Sequence, residues 1–318
     1  MRRDTSRTHE PKARYRVENW AAYNAGLINR GNVTMWIDEA ALASMPDAEP
    51  TRGRPRLYRD ALIQALLGLK TVFRLPLRAL QGFAQSLRDL AFATLPVPNY
   101  TTLCRRAQTL AVQLPILRDG DPIHLVVDST GMKVYGEGEW KVRQHGYSKR
   151  RTWRKVHLAL DANTSQVRAM LMTHQDVADS DVLAELLDQI PTDERLDTVG
   201  GDGAYDSKPC HAVIAARCAA PSIPPRDGAA HWKATVPGAA WRNEAVDTIA
   251  RLGRREWKKG CGYHRRSLAE NAMYRFKTLT GPCLWALHTD SQATEVAIRV
   301  GVLNRMTELA SPQSVRFA

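Results

Sequence analysis

No apolar run in the sequence approaches the roughly 18 residues that suggest a membrane span. The first residues, with Arg2, Arg3, Asp4 and Glu10, hold no apolar core of a secretory signal. A membrane role is therefore not expected. The cysteines are few and scattered: Cys104, Cys210, Cys218, Cys261 and Cys283 contain no Cys-x2-Cys pair. They suit reduced cytosolic thiols and exclude a disulfide framework or a zinc ribbon. Acid is scarce relative to base, with 33 Asp+Glu against 45 Lys+Arg and a net charge of +12. Such an excess asks for a polyanionic partner, and nucleic acid is the foremost candidate. With 44% apolar and 25% charged residues over 318 positions, the chain can bury the cores of two or three domains.

Residues 1–16 carry six basic side chains against two acids and no apolar period, and read as a basic arm. A helix is expected over Val17–Arg30, ended by Gly31-Asn32 as a left-handed cap. Residues 52–59, Arg-Gly-Arg-Pro-Arg-Leu-Tyr-Arg, suit a segment lying along a phosphate backbone. Three helical patterns come next. The first repeats Leu57, Ala61, Leu62, Ala65, Leu66 and Leu69, the second runs over Leu77–Leu90, and the third is capped near Asn99 and carries Arg105 and Arg106. Residues 17–115 thus form either a helix-turn-helix-like DNA-binding domain, with Arg105 and Arg106 at the DNA, or a three-helix bundle that supports the next domain.

From Ile123 the pattern changes. Ile123-His-Leu-Val-Val127 reads as a buried strand that delivers Asp128 at its end, followed by a turn at Asp128-Ser-Thr-Gly131. Alternation over Lys155–Leu160 and Val167–Leu171, around a turn at Asp161-Ala-Asn163, gives two more antiparallel strands. An amphipathic helix over Asp179–Ile190 precedes a strand ending at Asp202. A helix after Asp206-Ser207 and a strand near Ala219–Ile223 complete the order βββαβαβ. That order is the ribonuclease H-like arrangement, a mixed five-stranded sheet with flanking helices over residues 120–310, in which the fourth strand lies beside the first. Asp128 and Asp202 are then neighbours.

Tyr263, Arg266, Glu270 and Lys277 fall within about 60° of one another on a helical wheel. By itself this stripe reads as a solvated face with an Arg266–Glu270 pair. With two aspartates for Glu270 to meet, three carboxylates without His or Cys suit a hard ion, Mg²⁺ with Mn²⁺ as substitute. Glu244 and Glu256 are the alternative third acids, neither in a comparable pattern. Lys141–Lys155 holds seven basic residues and no acid, among them Lys149, Arg150, Arg151 and Arg154. It suits either a DNA-facing or a solvated loop between strands. Residues 224–260 form an insertion in which Trp232, Trp241 and Trp257 alternate with cations, for base stacking or for a small core of their own.

Asp128-Ser-Thr, Gly201-Asp202-Gly-Ala-Tyr205-Asp206 and Tyr263-x2-Arg266-x3-Glu270-x6-Lys277 resemble the motifs of bacterial insertion-sequence DDE transposases. Within that family, the last signature resembles the insertion-sequence family five group. The likeness extends from about Trp20 to Asn304 and includes Arg30-Gly31, Gly53-Arg-Pro55 and Arg151-Thr-Trp153. It implies a bacterial, cytoplasmic, DNA-associated enzyme, working as a dimer on double-stranded element ends and target DNA. It also implies catalysis by two-metal phosphoryl transfer, with Asp128, Asp202 and Glu270 holding two Mg²⁺ ions and Tyr263, Arg266 and Lys277 on phosphates near the cut. A regulator that has lost catalysis, or a nuclease that cuts without joining, shares many of these features.

Overall fold

A computed structural model describes residues 14–43, 57–117, 120–134 and 153–317. In chain order the elements are β1 (Arg14–Val17), α1 (Trp20–Asn29), α2 (Glu39–Leu42), α3 (Asp60–Val72), α4 (Leu77–Leu90) and α5 (Tyr100–Arg106). Then come β2 (Ile123–Val134), β3 (Trp153–Asp161), β4 (Val167–His174), α6 (Leu183–Asp188), β5 (Leu196–Gly200), α7 (Lys208–Ala216) and β6 (Ala220–Ser222). The chain continues with α8 (Ala239–Leu252), α9 (Arg254–Gly260), α10 (Ser267–Thr280), β7 (Cys283–Leu284), α11 (Thr289–Leu309) and β8 (Ser314–Phe317).

The main sheet has the strand order β4-β3-β2-β5-β6, with β7 added to the far end of β2. β2, β3 and β4 are antiparallel neighbours, while β5 and β6 run parallel to β2. The expected order βββαβαβ is therefore present, and the mixed sheet with its helices fits the expected ribonuclease H-like arrangement. Alternation along the strands divides the core. Leu125, Val127, Ala159 and Ala169 pack on one face with Leu183, Leu186 and Leu187 of α6 and Ile214 of α7. Met132, Val156, Leu158 and Leu160 pack on the other with Met273 and Phe276 of α10 and Val296, Val300 and Leu303 of α11. Asp128 is cross-strand partner to Leu158 and shares the parity of Met132, so it belongs to the face covered by α10 and α11.

Four local expectations are corrected. Asp128 lies inside a strand that continues to Val134, and no turn forms at Asp128–Gly131. Gly131 is instead a close-approach residue: a Cβ there would lie 3.3 Å from the Trp153 ring. Val17 is in β1, and α1 starts at Trp20 and ends without a left-handed residue at Gly31. Leu57 precedes α3 and is exposed. The end of the chain also pairs: β8 lies antiparallel to β1, with Tyr15 opposite Arg316. Most of the expected basic arm, residues 1–13, lies outside the described residues, as do 44–56 and the basic loop positions Lys149, Arg150 and Arg151.

Helices α3, α4 and α5 share a core of Leu62, Ile63, Leu66, Leu80, Ala84 and Leu103, which also takes in Ile298 of α11. Helix α11 therefore serves two cores, with Ile298 turned to the N-terminal helices and Val300 to the sheet. The side chain of Asn304 ties the same helix to both polar groups of Val167 and to the carbonyl of Pro115. Arg30 donates to the carbonyls of Met306 and Ala310 at the C-terminal end of α11.

Candidate active site

Parallel pairing sets the first two carboxylates side by side. Val126 of β2 is in register with Gly200 of β5, and Asp128 and Asp202 each lie two residues farther along. Asp202 leaves the sheet just past β5 and caps the 3-10 turn Gly203–Tyr205, accepting from the Ala204 N–H at 2.9 Å. Gly201 permits this path, because a Cβ there would meet the Tyr205 ring at 2.7 Å. The third carboxylate comes from α10. Tyr263–Arg266 forms a 3-10 turn entered from left-handed Gly262, and the α-helix proper begins at Ser267, which puts Glu270 in its first turn. Tyr263 is thus placed by the glycine and the turn, outside the helical stripe.

Arg266 joins the two sides. Its Nη1 lies 2.5 Å from Glu270 Oε1 and its Nη2 lies 3.5 Å from Asp128 Oδ2. Glu270 is over half exposed and Asp128 mostly buried, so the pair lies at the rim of the sheet face. Burial raises the proton affinity of Asp128, and the neighbouring charges of Asp202 and Glu270 raise it further, while the Ser129 N–H and Arg266 oppose the shift. Tyr263 is likewise raised, first by burial and then by the same three carboxylates, with Arg266 opposing.

The insertion supports this turn. The Lys258 ammonium lies 4.7 Å above the Tyr263 ring, and the mostly buried Trp257 packs beside it, with centroids 6.3 Å apart. Beneath, Arg242 of α8 donates to both oxygens of Asp206, stacks at 4.1 Å on Trp232 and reaches the Ala230 carbonyl. Trp232 and Trp257 are therefore packing residues, while Trp241 remains half exposed. Neither Asp206 nor Arg242 was assigned a role from the sequence. Asp206 stood within the Gly-Asp-Gly-Ala-Tyr-Asp run, and that was its only local signal. A cavity of about 200 Å³ opens beside the site, lined by Tyr263, Arg265, Arg266, His124 and Ser222 among others.

Lys277 is half buried two turns beyond Glu270, and burial lowers its proton affinity. Its ammonium has no partner among the described residues. Other cations expected at DNA are placed differently. Arg106 turns inward to the Tyr58 carbonyl and the Asp60 carboxylate, while Arg105 is exposed and bonds back to Thr101. Arg154 lies in β3 and holds Gln292 and Thr289 at the start of α11, a structural role that the loop expectation missed.

Asp128, Asp202 and Glu270 offer only oxygen donors and an excess of negative charge, a chemistry that suits a hard divalent cation. Among the described residues no three carboxylate, imidazole or thiol groups are at metal-holding spacing, and the Arg266 guanidinium supplies the positive charge between two of them. No helix among the described residues is long and apolar enough to cross a membrane.

Residues 119–303 match a family model described as a transposase DDE domain, and residues 28–137 match a second model of the same description. The first match includes all three carboxylates, the strand that carries Asp128, the turn that Asp202 caps and the helix that carries Glu270. The chain belongs to the DDE transposase family and is a DNA transposase, an enzyme class that generally uses divalent metal ions.

Proposed function

We propose that this transposase belongs to a bacterial insertion sequence of the family five group and that it binds the element's ends, cuts them and joins them to target DNA with Asp128, Asp202 and Glu270. The observation that supports the proposal is the Arg266 bridge between Asp128 and Glu270, with Asp202 two residues past the neighbouring strand in register with Asp128. Mg²⁺, with Mn²⁺ as substitute, is the ion such oxygen donors favour. Bound ions would neutralise the carboxylates and polarise the phosphodiester and its attacking oxygen.

The chain's own residues provide the positioning. Asp128, fixed within a paired strand, is the reference point, and Asp202 and Glu270 flank it from a turn and a helix start. Arg266 offers a two-pronged donor to phosphate oxygens, Lys277 a point charge farther along, and Tyr263 a hydroxyl on the turn that carries Arg266. Exposed Arg105 and the basic positions 149–151 are candidates for more distant DNA contacts. Helices α3–α5 are proposed as the end-binding domain, and two copies are expected to act on paired ends.

The test uses the full chain with a duplex that ends in the inverted repeat flanking its gene. Asp128→Ala, Asp202→Ala and Glu270→Ala should each abolish Mg²⁺-dependent cleavage and joining while DNA binding persists. Substantial strand transfer by any one of them would overturn the assignment. Cleavage without joining by the unsubstituted protein would reduce the proposal to a nuclease.

A further inference from the structure

We infer that Arg266 is the resident counter-ion of the carboxylate site in the free protein and is exchanged for divalent metal when DNA phosphate draws its guanidinium away. Metal and DNA then favour each other's binding through one side chain. The inference rests on the three-carboxylate proposal.

An Arg266–Glu270 pair alone would be an ordinary i,i+4 contact on a helix surface, worth a few tenths of a kcal/mol. The second contact makes the difference. Asp128 belongs to β2, and its Oδ2 lies 3.5 Å from the same guanidinium, so Arg266 spans the positions that a shared cation would neutralise. Two carboxylates brought together without that charge would repel, and a metal ion placed there would repel the arginine. Arg266 and metal therefore compete for one place.

The bridge is poised for exchange. Arg266 Nε is buried without a hydrogen-bond partner, so the guanidinium uses only part of its donor fork. Its backbone lies at the junction of the 3-10 turn and α10, where no side chain caps the helix. The side chain also lines the cavity of about 200 Å³ beside Arg265 and Ser222, which gives it polar space outside the carboxylate site. Asp202 spends one oxygen on the Ala204 N–H and makes no direct pair with Arg266 among the described residues, which leaves one of the three acids outside the bridge.

Linkage makes the consequence reciprocal. If phosphate binds Arg266 only when it has left the carboxylates, DNA must raise metal affinity by the same factor by which metal raises DNA affinity. The free enzyme would then hold metal weakly and load it on DNA.

The experiment titrates full-length protein with Mn²⁺, following free ion by electron paramagnetic resonance, with and without a short DNA duplex. For the unsubstituted protein the duplex should tighten Mn²⁺ binding about tenfold. Arg266→Gln should tighten it by about as much without DNA and remove most of the further gain from DNA. If Arg266→Gln does not fold, Arg266→Lys takes its place, since lysine keeps the charge but cannot span both acids. It should show the same tightening in smaller degree, and no tightening overturns the inference. Asp128→Asn separates the two layers. If it leaves Mn²⁺ affinity unchanged, the carboxylate proposal fails. If it removes Mn²⁺ binding while Arg266→Gln binds no tighter than the unsubstituted protein, the site stands and the exchange is overturned.

Discussion

Asp202 and Asp206 sit on one short turn in different surroundings. Asp202 remains open at the rim, whereas Asp206 is buried and meets Arg242, His211 and the Arg226 N–H. Burial pushes the Asp206 carboxyl up, but the bonds from His211, Arg242 and Arg226 outweigh it and hold the group well below the usual carboxylate range. A depressed acid contributes stability above its unfolded value and loses it as pH falls through the folded one. Asp206→Ala, which strands a buried arginine, should cost about 3–5 kcal/mol in denaturant unfolding at neutral pH. His157 behaves in the opposite sense. Burial, helped by Lys155 and opposed by Asp179, lowers it from 6.5 to about 4, so the folded protein holds it neutral. Stability should therefore fall as pH drops from 6.5 towards 4, and His157→Gln should flatten the melting temperature across that window.

Among the elements, α1 and α11 approach more closely than side chains normally allow. A Cβ at Gly26 would lie 2.0 Å from the Leu309 carbonyl and 2.8 Å from Ala310 Cβ. Gly26→Ala should cost about 1–3 kcal/mol in thermal or denaturant unfolding by forcing the helices apart. The strands and α4 were legible because buried apolar residues recur at periods of two or 3.6, and α4 spans the expected Leu77–Leu90. Asn99 was legible as a cap, since its side chain accepts from the Thr101 N–H. Gly131 misled because glycine marks a turn as readily as a close approach, and only the Trp153 ring across the sheet distinguishes them. Helices α8 and α9 were not anticipated: α9 is mostly charged, α8 buries only Ala239 and Arg242, and left-handed Gly238 and the positive φ of Gly253 break the pattern. The three proposed carboxylates could be named from motif and topology, but the Arg266 bridge to Asp128 joins positions over a hundred residues apart and has no local signal.

Across the whole molecule, α11 makes the N-terminal helices and the sheet one body. Its side chains enter both cores, and Asn304 bonds Pro115 and Val167 together. Residues 17–115 expressed alone should lack the cooperative thermal transition of the full chain, because Ile298 and its helix are missing. Asn304→Ala should lower stability by about 1–3 kcal/mol, leaving buried backbone groups unpaired on both sides of the junction. Calorimetry of the full chain, with or without that substitution, should give one transition, and two separate ones would show that the bodies unfold independently.

Strand β2 is flanked by β3 on one side and by β5 and then β7 on the other. Those of its amides that bond to β3, over Leu125–Lys133, are therefore expected to exchange with deuterium only through global opening. The amides around Glu270 belong to the first turn of α10, where helix ends fray, and should exchange much sooner. A motion that brings the three proposed carboxylates together would then leave Asp128 still, with Glu270 and Asp202 travelling towards it. Deuterium uptake with and without DNA should change at residues 201–206 and 263–270 and hardly at all along 125–133.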